Sequence, residues 1–372
     1  MSQSSQKIKC IGCGAVIQTE KKELEGFIPA SALEKADQDA DIYCQRCFRL
    51  RHYNDLMDID LDEESYKKIL DEISSKQALI VLVVDLFDFE GSFIQGIQRY
   101  AHDNPIIIVG NKFDLLPQSV KESRIRQWVM KRSHALGVRP QEVLVTSATQ
   151  KQYIDDLAQK IDRLRKGRDV YILGASNVGK STLINQMIAP AIDDNSLITT
   201  SYFPGTTLGK IEIPLDDGAF LIDTPGIIQR DQVSYFLKGK ELKQVTPKRR
   251  LNPKAYQING RQTLFLGGLG RFDLISSPEK SSLVVYASED LYIHRTKTEK
   301  AEQIIENMVG KELTPPSIEN KLNLKYKQRD FKLKEKSDIL ISGLGWVTAP
   351  ENVSLSVYAP EGVNVVLRPA MI

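Results

Sequence analysis

The sequence has no long hydrophobic run. Although 41% of its 372 residues are hydrophobic, no stretch approaches the roughly 20 apolar residues that a membrane-spanning helix needs. The N-terminal residues MSQSSQKIKC also lack the apolar segment of a secretion signal. We therefore expect no membrane partner and a cytoplasmic, monomeric protein of two or three domains, each with its own core.

Histidine and cysteine are scarce as well. The histidines are scattered along the chain, and we assign a catalytic role to none of them: His52, His102, His134 and His294. The four cysteines lie near the start of the chain, in two pairs: Cys10 with Cys13, and Cys44 with Cys47. Two residues separate the thiols of each pair, a spacing that can place four sulfurs about 2.3 Å from one zinc ion.

A disulfide pair and a redox dithiol are the alternatives to zinc at these cysteines. A reducing cytosol disfavours disulfides, and a redox site needs only one such pair. We therefore predict a structural zinc site that binds through Cys10, Cys13, Cys44 and Cys47. Because four thiolates leave no open coordination position, we expect no catalysis there.

The net charge of +2 conceals an asymmetry along the chain. Residues 231–372 hold 22 Lys and Arg against 16 Asp and Glu, so this part carries about +6 and the remainder about −4. Such a difference indicates a polyanionic partner, such as nucleic acid, for the C-terminal part. A solvated basic surface is the alternative.

Between Ala78 and Gly226, short apolar runs alternate with polar, helix-like stretches. Runs such as ALIVLVVDLFDF and PIIIVG are almost entirely apolar. This is typical of parallel strands with helices on both faces of the sheet, and it predicts an α/β layered domain.

The run DVYIL leads into a phosphate-loop pattern, which we assign together with Thr182 to a nucleotide site: Gly174, Ala175, Ser176, Asn177, Val178, Gly179, Lys180 and Ser181. Glycines let backbone N–H groups wrap a phosphate, and the following helix directs its positive end at the anion. We expect Lys180 to reach the β- and γ-phosphates and the Ser181 hydroxyl to bind magnesium.

Asp223-Thr-Pro-Gly226 ends the apolar run AFLI and is a second phosphate-side element. The Asp223 carboxylate can hold magnesium through a bound water, and the Gly226 N–H can approach the γ-phosphate. In the preceding segment Phe203-Pro-Gly-Thr-Thr207, one threonine can complete the magnesium shell, and we favour Thr207 over Thr206.

Asn111-Lys112-Phe113-Asp114 lies at the exit of the strand PIIIVG. The Asp114 carboxylate can accept hydrogen bonds from N1–H and the 2-amino group of guanine, and adenine offers neither donor. Lys112 is expected to pack along the base. After the next strand, in Thr146-Ser147-Ala148, the Ala148 N–H can meet the guanine O6, which also places Ser147 at the site.

In a usual GTPase the phosphate loop comes first and the guanine motif near the end, whereas this chain has the reverse order. With the four-cysteine module, that order resembles the circularly permuted GTPases, most closely the YqeH family of bacterial ribosome-biogenesis GTPases. The resemblance implies a zinc-binding module in residues 1–60, a permuted GTPase domain in 61–230 and a C-terminal RNA- or partner-binding domain in 231–372. It also implies GTP or GDP with magnesium as ligands, and the small (30S) ribosomal subunit or its precursor and its rRNA as partners.

The residue after Gly226 bears on the rate of hydrolysis. Many GTPases place a water-orienting glutamine there, but this chain has Ile227, so we expect slow turnover. The position of Asn177 resembles that of the asparagine with which potassium-activated GTPases hold a cation beside the phosphates. We therefore expect potassium to stimulate hydrolysis, with Lys180, Asn177, Thr207 and Gly226 as the catalytic groups. Loss of the γ-phosphate is expected to release the segment after Gly226 and so control docking of the C-terminal domain.

The C-terminal part contains an internal repeat. Leu266-Gly-Gly-Leu-Gly270 followed by LVVYA recurs as Ile341-Ser-Gly-Leu-Gly345 followed by LSVYA, which predicts a duplicated, β-rich α+β domain. Between the copies, TEKAEQIIENMVGKEL predicts a helix. The segment KLNLKYKQRDFKLKEK can neutralise phosphates and stack bases on Tyr326 and Phe331, or it is an edge strand protected by its lysines.

Three functions remain open from the sequence. The first is a GTP-hydrolysing ribosome assembly factor, in which nucleotide state controls docking on the ribosome. The second is an RNA- or protein-binding scaffold in which the nucleotide is structural. The third is a GTP-dependent switch that acts on a protein target.

Overall fold

The structure is a computed structural model that describes residues 8–11, 14–22, 24–34, 42–53, 60–61, 63–188, 210–277, 281–321 and 324–372. The chain forms two compact units. Unit 1 comprises residues 1–86, 92–113 and 122–228, and unit 2 comprises residues 87–91, 114–121 and 229–372. The predicted domain boundaries near residues 60 and 230 stay predictions. Among the described residues, no helix combines the length and the apolar character needed to span a membrane.

The described helices are short or medium in length: α1 (Ala30–Leu33), α2 (Gln45–Tyr53), α3 (Glu63–Ser74), α4 (Phe89–Ser92), α5 (Ile97–Ala101), α6 (Glu122–Ala135), α7 (Lys151–Arg165), α8 (Lys180–Ile188), α9 (Val233–Phe236), α10 (Gly239–Val245), α11 (Ala301–Met308) and α12 (Ile318–Lys321). Single 3-10 turns cover Phe113–Leu115 and Thr298–Lys300.

The strands of unit 1 are β1 (Asp60–Leu61), β2 (Ala78–Asp85), β3 (Ile106–Asn111), β4 (Glu142–Val145), β5 (Asp169–Gly174), β6 (Ile211–Pro214), β7 (Phe220–Asp223) and β8 (Gly226–Ile227). Those of unit 2 are β9 (Lys254–Ile258), β10 (Gln262–Leu266), β11 (Gly270–Ser276), β12 (Ser281–Ala287), β13 (Ile293–Lys297), β14 (Tyr326–Lys332), β15 (Ser337–Ile341), β16 (Gly345–Ala349), β17 (Ser354–Pro360) and β18 (Val365–Pro369).

Unit 1 is built on a six-stranded sheet in the order β4-β3-β2-β5-β7-β6. Its first five strands are parallel, and β6 runs antiparallel to β7. Every residue of β3 is buried, as is every residue of β2 before Asp85, because helices cover both faces. The predicted α/β layered fold is therefore confirmed. On one face, α7 and α8 place Ile154, Leu157 and Ile184 in the core with the strands.

The strand order explains how the sequence motifs can be permuted without loss of the sheet. The phosphate-loop strand β5 is central, with β7 on one side and β2 followed by β3 on the other. A chain that began at β5, continued through β7 and then entered β2 and β3 would meet the motifs in the usual GTPase order. Joining old termini and opening a surface loop changes the connections while the strand neighbours stay the same.

Unit 2 contains two five-stranded sheets that show the predicted duplication. Strands β9–β13 form one copy and β14–β18 the other. One sheet has the order β13-β10-β11-β17-β14 and the other β18-β15-β16-β12-β9. Replacing each strand by its counterpart in the other copy converts the first order into the second. The fourth and first strands of each copy therefore lie in the sheet of the other copy, and the two copies share one core.

Equivalent positions in the two copies make equivalent contacts. The Thr263 hydroxyl donates to Asp273 at 2.7 Å, and the Thr348 hydroxyl donates to Asp338 at 2.6 Å, with threonine and aspartate exchanged between the strands. The repeated glycine of each copy is needed for close packing. A Cβ on Gly345, where φ is +134°, would lie 2.3 Å from the Tyr286 carbonyl oxygen.

The helix predicted between the copies is present but short. It covers Ala301–Met308, and its residues Ile304, Ile305 and Met308 pack inward. It ends there because Val309 is extended and Gly310 has a φ of +90°.

The basic segment near residue 330 forms the edge strand β14. Its lysines Lys327 and Lys332 are exposed. The Tyr326 hydroxyl donates to the Gly268 carbonyl, burial raises the pKa of Tyr326 to about 12, and Phe331 packs against the core of this unit. The two rings are therefore not open stacking surfaces for bases, and the lysine-protected edge strand describes the segment better.

Candidate nucleotide-binding site

Three predicted site residues of unit 1 and one residue that was not predicted, Asp85, gather at one edge of its sheet. Asp85, Asn111, Gly174 and Asp223 are the last residues of β2, β3, β5 and β7. Because these strands are parallel, their carboxyl ends share one edge, which is where ligands bind in open α/β sheets. The sequence motifs therefore meet in space although Asn111 and Asp223 are 112 positions apart along the chain.

The phosphate loop connects β5 to α8, which begins at Lys180. Two glycines of this loop lie where a side chain would clash with neighbouring atoms. A Cβ on Gly174 would lie 2.9 Å from the Val83 carbonyl oxygen, and one on Gly179, where φ is +87°, would lie 2.5 Å from the Asn111 side-chain nitrogen. Ser181 is buried in the first turn of α8, and Thr182 is exposed beside it. Close packing at both glycines therefore excludes a side chain.

Asp223 is fully buried and accepts hydrogen bonds from two cations. The Lys180 ammonium lies 2.6 Å from one carboxylate oxygen, and the Arg46 guanidinium donates to the other. Lys180 and Asp223 were both predicted for this site, and the structure brings them together. Arg46 was not predicted. It lies between two cysteines, and nothing in the sequence connects that position to a residue 177 positions away.

Gly226 packs directly on the phosphate loop, since a Cβ there would lie 3.1 Å from the Ser176 Cα. Next to it, the Ile227 carbonyl accepts the Ser176 N–H at 2.9 Å. The segment after Asp223 is thus in contact with the loop. Thr206 and Thr207 lie outside the described residues.

The guanine motif is tied to the phosphate loop through two side chains. Buried Asn111 donates to the Val178 carbonyl at 2.8 Å and accepts the Ala148 N–H at 3.2 Å. Lys112 donates to the Asn177 carbonyl at 2.7 Å and to Asp85 at 2.6 Å. Asn111 and Lys112 therefore hold three loops in one arrangement.

Asp85 is a second site residue that the sequence interpretation missed. It ends an apolar strand just as Asn111 and Asp223 do, and this position was the signal that could have found it.

Lys112 and Asn177 both have left-handed backbone, with φ of 66° and 64°. The Asn177 side chain is exposed, and buried Ser147 bonds to the Thr149 hydroxyl at 2.9 Å. Asp114, the last residue of the motif, lies in the 3-10 turn Phe113–Leu115.

The cysteine cluster contains three of the four predicted ligands. The sulfurs of Cys10, Cys44 and Cys47 lie within 4.8 Å of one another and are buried. The Cys44 N–H donates to the Cys10 sulfur at 3.1 Å, as backbone amides do to metal-bound thiolates. Cys13 lies outside the described residues. This donor set fits zinc, which favours thiolate ligands in tetrahedral sites.

Comparison with known proteins agrees with this arrangement. Residues 65–232 match the family described as RsgA GTPase, and residues 280–371 match the family described as YqeH-like, C-terminal. The chain is 44% identical to the YqeH protein of Bacillus subtilis (strain 168) over 370 residues, which cover 99% of this chain and all of that protein.

More distant relatives match as well. The chain is 30% identical to NO-associated protein 1, chloroplastic/mitochondrial, of Arabidopsis thaliana, over 97% of this chain and 76% of that protein. It is 34% identical over 139 residues to the small ribosomal subunit biogenesis GTPase RsgA of Syntrophotalea carbinolica, which is 35% of each chain. The whole-length match and the permuted motif order agree, and the chain belongs to the YqeH family, with an RsgA-type GTPase domain.

Proposed function

We propose that the protein is a GTP-hydrolysing assembly factor of the small ribosomal subunit. The observation that carries the proposal is the direct connection of the guanine motif to the phosphate loop through Asn111 and Lys112. This connection supports a single site for base and phosphates. The ribosomal partner is supported by the name of the RsgA relative and by the excess of basic residues after residue 230.

The residues at the phosphate end divide the work of hydrolysis among them. When the nucleotide binds, Lys180 turns from Asp223 to the β- and γ-phosphates, and Ser181 and Asp223 would hold magnesium, with Thr207 as a further ligand. Magnesium neutralises the phosphate charge. Water attacks the γ-phosphorus while the bond to the β-phosphate oxygen breaks, which releases GDP and phosphate, and the Gly226 N–H donates to a γ-phosphate oxygen.

The base end selects guanine. Asp114 accepts the two N–H donors of the guanine edge, Lys112 packs along the base and the Ala148 N–H meets O6. Ser147 holds the loop in place through its hydroxyl bond to Thr149.

Turnover is slow and stimulated by potassium, because Ile227 cannot orient water and Asn177 holds a monovalent cation beside the phosphates. Phosphate release at equal ionic strength should be about tenfold faster in potassium than in sodium, an effect worth about 1.4 kcal/mol. An Asn177→Ala variant should lose the difference while it still binds GDP. Equal rates in the two salts would contradict the cation site.

The partner is tested with small-subunit particles. We expect multiple-turnover phosphate release to rise when the particles are added, and the protein to co-sediment with them in one nucleotide state. Neutralising the edge strand with Lys327→Gln and Lys332→Gln should weaken co-sedimentation, most strongly at low salt. A matched control changes two other exposed lysines of unit 2, Lys240→Gln and Lys300→Gln.

Other results favour the other functions. GTP binding without multiple turnover would indicate a scaffold, and turnover that ignores the particles would indicate a switch for a protein target. Nucleotide control of the C-terminal part is tested by hydrogen exchange of residues 227–260. Equal protection with GDP and with a non-hydrolysable GTP analogue would contradict it.

A further inference from the structure

Arg46 connects the cysteine cluster to the phosphate end of the site. It lies in α2 between Cys44 and Cys47, two of the clustered cysteines, so the position of its backbone depends on them. Its side chain is only 4% exposed, and its guanidinium donates to the fully buried carboxylate of Asp223. A charged side chain is buried in this way only when a charged or polar partner compensates it, and Asp223, the proposed magnesium ligand, is such a partner here.

The two oxygens of Asp223 are shared between two cations. Lys180 can exchange Asp223 for another partner, because the nucleotide phosphates attract its ammonium. Binding of the nucleotide complex acts against the Arg46 contact. The water molecules of hydrated magnesium must donate hydrogen bonds to the same carboxylate that Arg46 contacts. Even when Lys180 leaves the other oxygen for the phosphates, the guanidinium and the magnesium ion share one carboxylate, and like charges repel at this distance. The ion pair between Arg46 and Asp223 therefore disfavours magnesium binding at that carboxylate.

The cysteine-containing segment also contacts the chain just after Asp223. Strand β1 pairs in parallel with β8, with Asp60 opposite Gly226 and Leu61 opposite Ile227. The Ile227 carbonyl in turn accepts the Ser176 N–H of the phosphate loop. The N-terminal part of unit 1 thus touches the magnesium ligand through a side chain and the following segment through its backbone.

We propose that Arg46 is a charged gate on Asp223, and that binding of magnesium and nucleotide displaces it. This inference rests on the proposed role of Asp223 as the magnesium ligand. Without magnesium and nucleotide, Arg46 keeps its ion pair with Asp223 and so holds α2 against the site. When magnesium and nucleotide displace Arg46, α2 loses its buried ion pair. The contact between the cysteine-bearing helix and the GTPase site therefore depends on whether magnesium and nucleotide are bound.

The test is a magnesium titration of the zinc-loaded, full-length protein with a fluorescent GDP analogue. Arg46→Gln removes the competing charge, so the magnesium concentration for half-maximal effect should fall about tenfold, as expected for the loss of one charge-assisted hydrogen bond. Arg46→Lys keeps the charge and should remain near the original value. Arg49→Gln, an exposed arginine of the same helix, is the matched control and should leave the midpoint unchanged.

Hydrogen exchange gives a readout that does not depend on turnover. In the original protein, exchange in residues 44–53 should increase when magnesium and GDP are added. In Arg46→Gln it should already be high and should not respond. Zinc content measured with a chelating dye establishes that the cysteine cluster is intact in each variant, and Arg46→Met, which keeps the apolar stem, replaces Arg46→Gln if the latter loses zinc.

Each outcome decides the question. An unchanged magnesium midpoint in zinc-loaded Arg46→Gln would overturn the gate. An unchanged midpoint with a roughly thousandfold loss of kcat would also overturn it, and would identify Arg46 as a group that acts on the transferred phosphoryl. If GDP binding to the original protein does not depend on magnesium, the role of Asp223 fails first and the gate fails with it.

Discussion

At the phosphate end of the site, two cations surround the buried carboxylate of Asp223, whereas at the base end Asn111 joins two loops by one donated and one accepted hydrogen bond. The first arrangement concentrates charge where a charged ligand will bind. The second satisfies its polar groups within the protein. Charges rearrange when magnesium and phosphates arrive, while satisfied amide hydrogen bonds have little reason to change.

Because of this difference, we expect the two ends of the site to have different tasks. In the proposed mechanism the phosphate end responds to the ligand, because Lys180 and Arg46 both exchange partners when magnesium and phosphates reach Asp223. We propose that the base end stays in place and selects, because a carboxylate fixed after a rigid strand rejects a base that lacks the matching donors. We therefore expect substitutions at the phosphate end to change affinity for every nucleotide, and those at the base end to change which nucleotide binds.

The largest effect is expected for Lys180→Ala. The variant loses two charge-assisted hydrogen bonds to phosphates, each worth about 1.5–3 kcal/mol, so affinity for GTP and GDP should fall about 1000-fold. Titration calorimetry measures this directly. Lys151→Ala, which removes an exposed lysine at the start of α7, is the control and should bind normally. A loss of less than tenfold would show that the phosphate end does not depend on charge.

A smaller and more selective effect is expected for Asp114→Asn. The carboxamide keeps one acceptor and places a donor against a guanine donor, so GTP affinity should fall about 100-fold. Xanthine nucleotide, which has an oxygen where guanine has its amino group, should bind better than to the original protein. Competition among GTP, XTP and ATP measures the preference. Asp103→Asn, at an exposed turn, is the control. Equal losses for all three nucleotides would contradict the division of tasks.

Much of the site could be predicted from the sequence because each motif is short and continuous. A loop that follows a buried strand must lie at the carboxyl edge of the sheet, so Asn111, Gly174 and Asp223 were placed without any knowledge of long-range contacts. Parallel strand pairing then brings them together. The permuted order does not affect this reasoning, since it concerns the connections and not the neighbours of each strand.

The features that were missed depend on contacts between distant parts of the chain. Arg46 lies between two cysteines, where the zinc pattern accepts any residue, and its partner Asp223 belongs to another motif. In unit 2 the repeat was visible, but strand alternation predicts which face a residue occupies and not which sheet the strand joins. The placement of β9, β12, β14 and β17 in the sheet of the other copy could therefore not be predicted.

The smallest effect is expected for Asp85→Asn, which removes the ion pair of Lys112. The two side chains are 14% and 25% exposed, and a partly solvated pair is worth about 1 kcal/mol. GDP should dissociate about fivefold faster, as stopped-flow fluorescence can measure, with unchanged preference for guanine. Asp216→Asn, on an exposed turn of unit 1, should have no effect. If Asp85→Asn weakened binding as much as Lys180→Ala, the base end would also be held by charge, and the contrast between the two ends would be wrong.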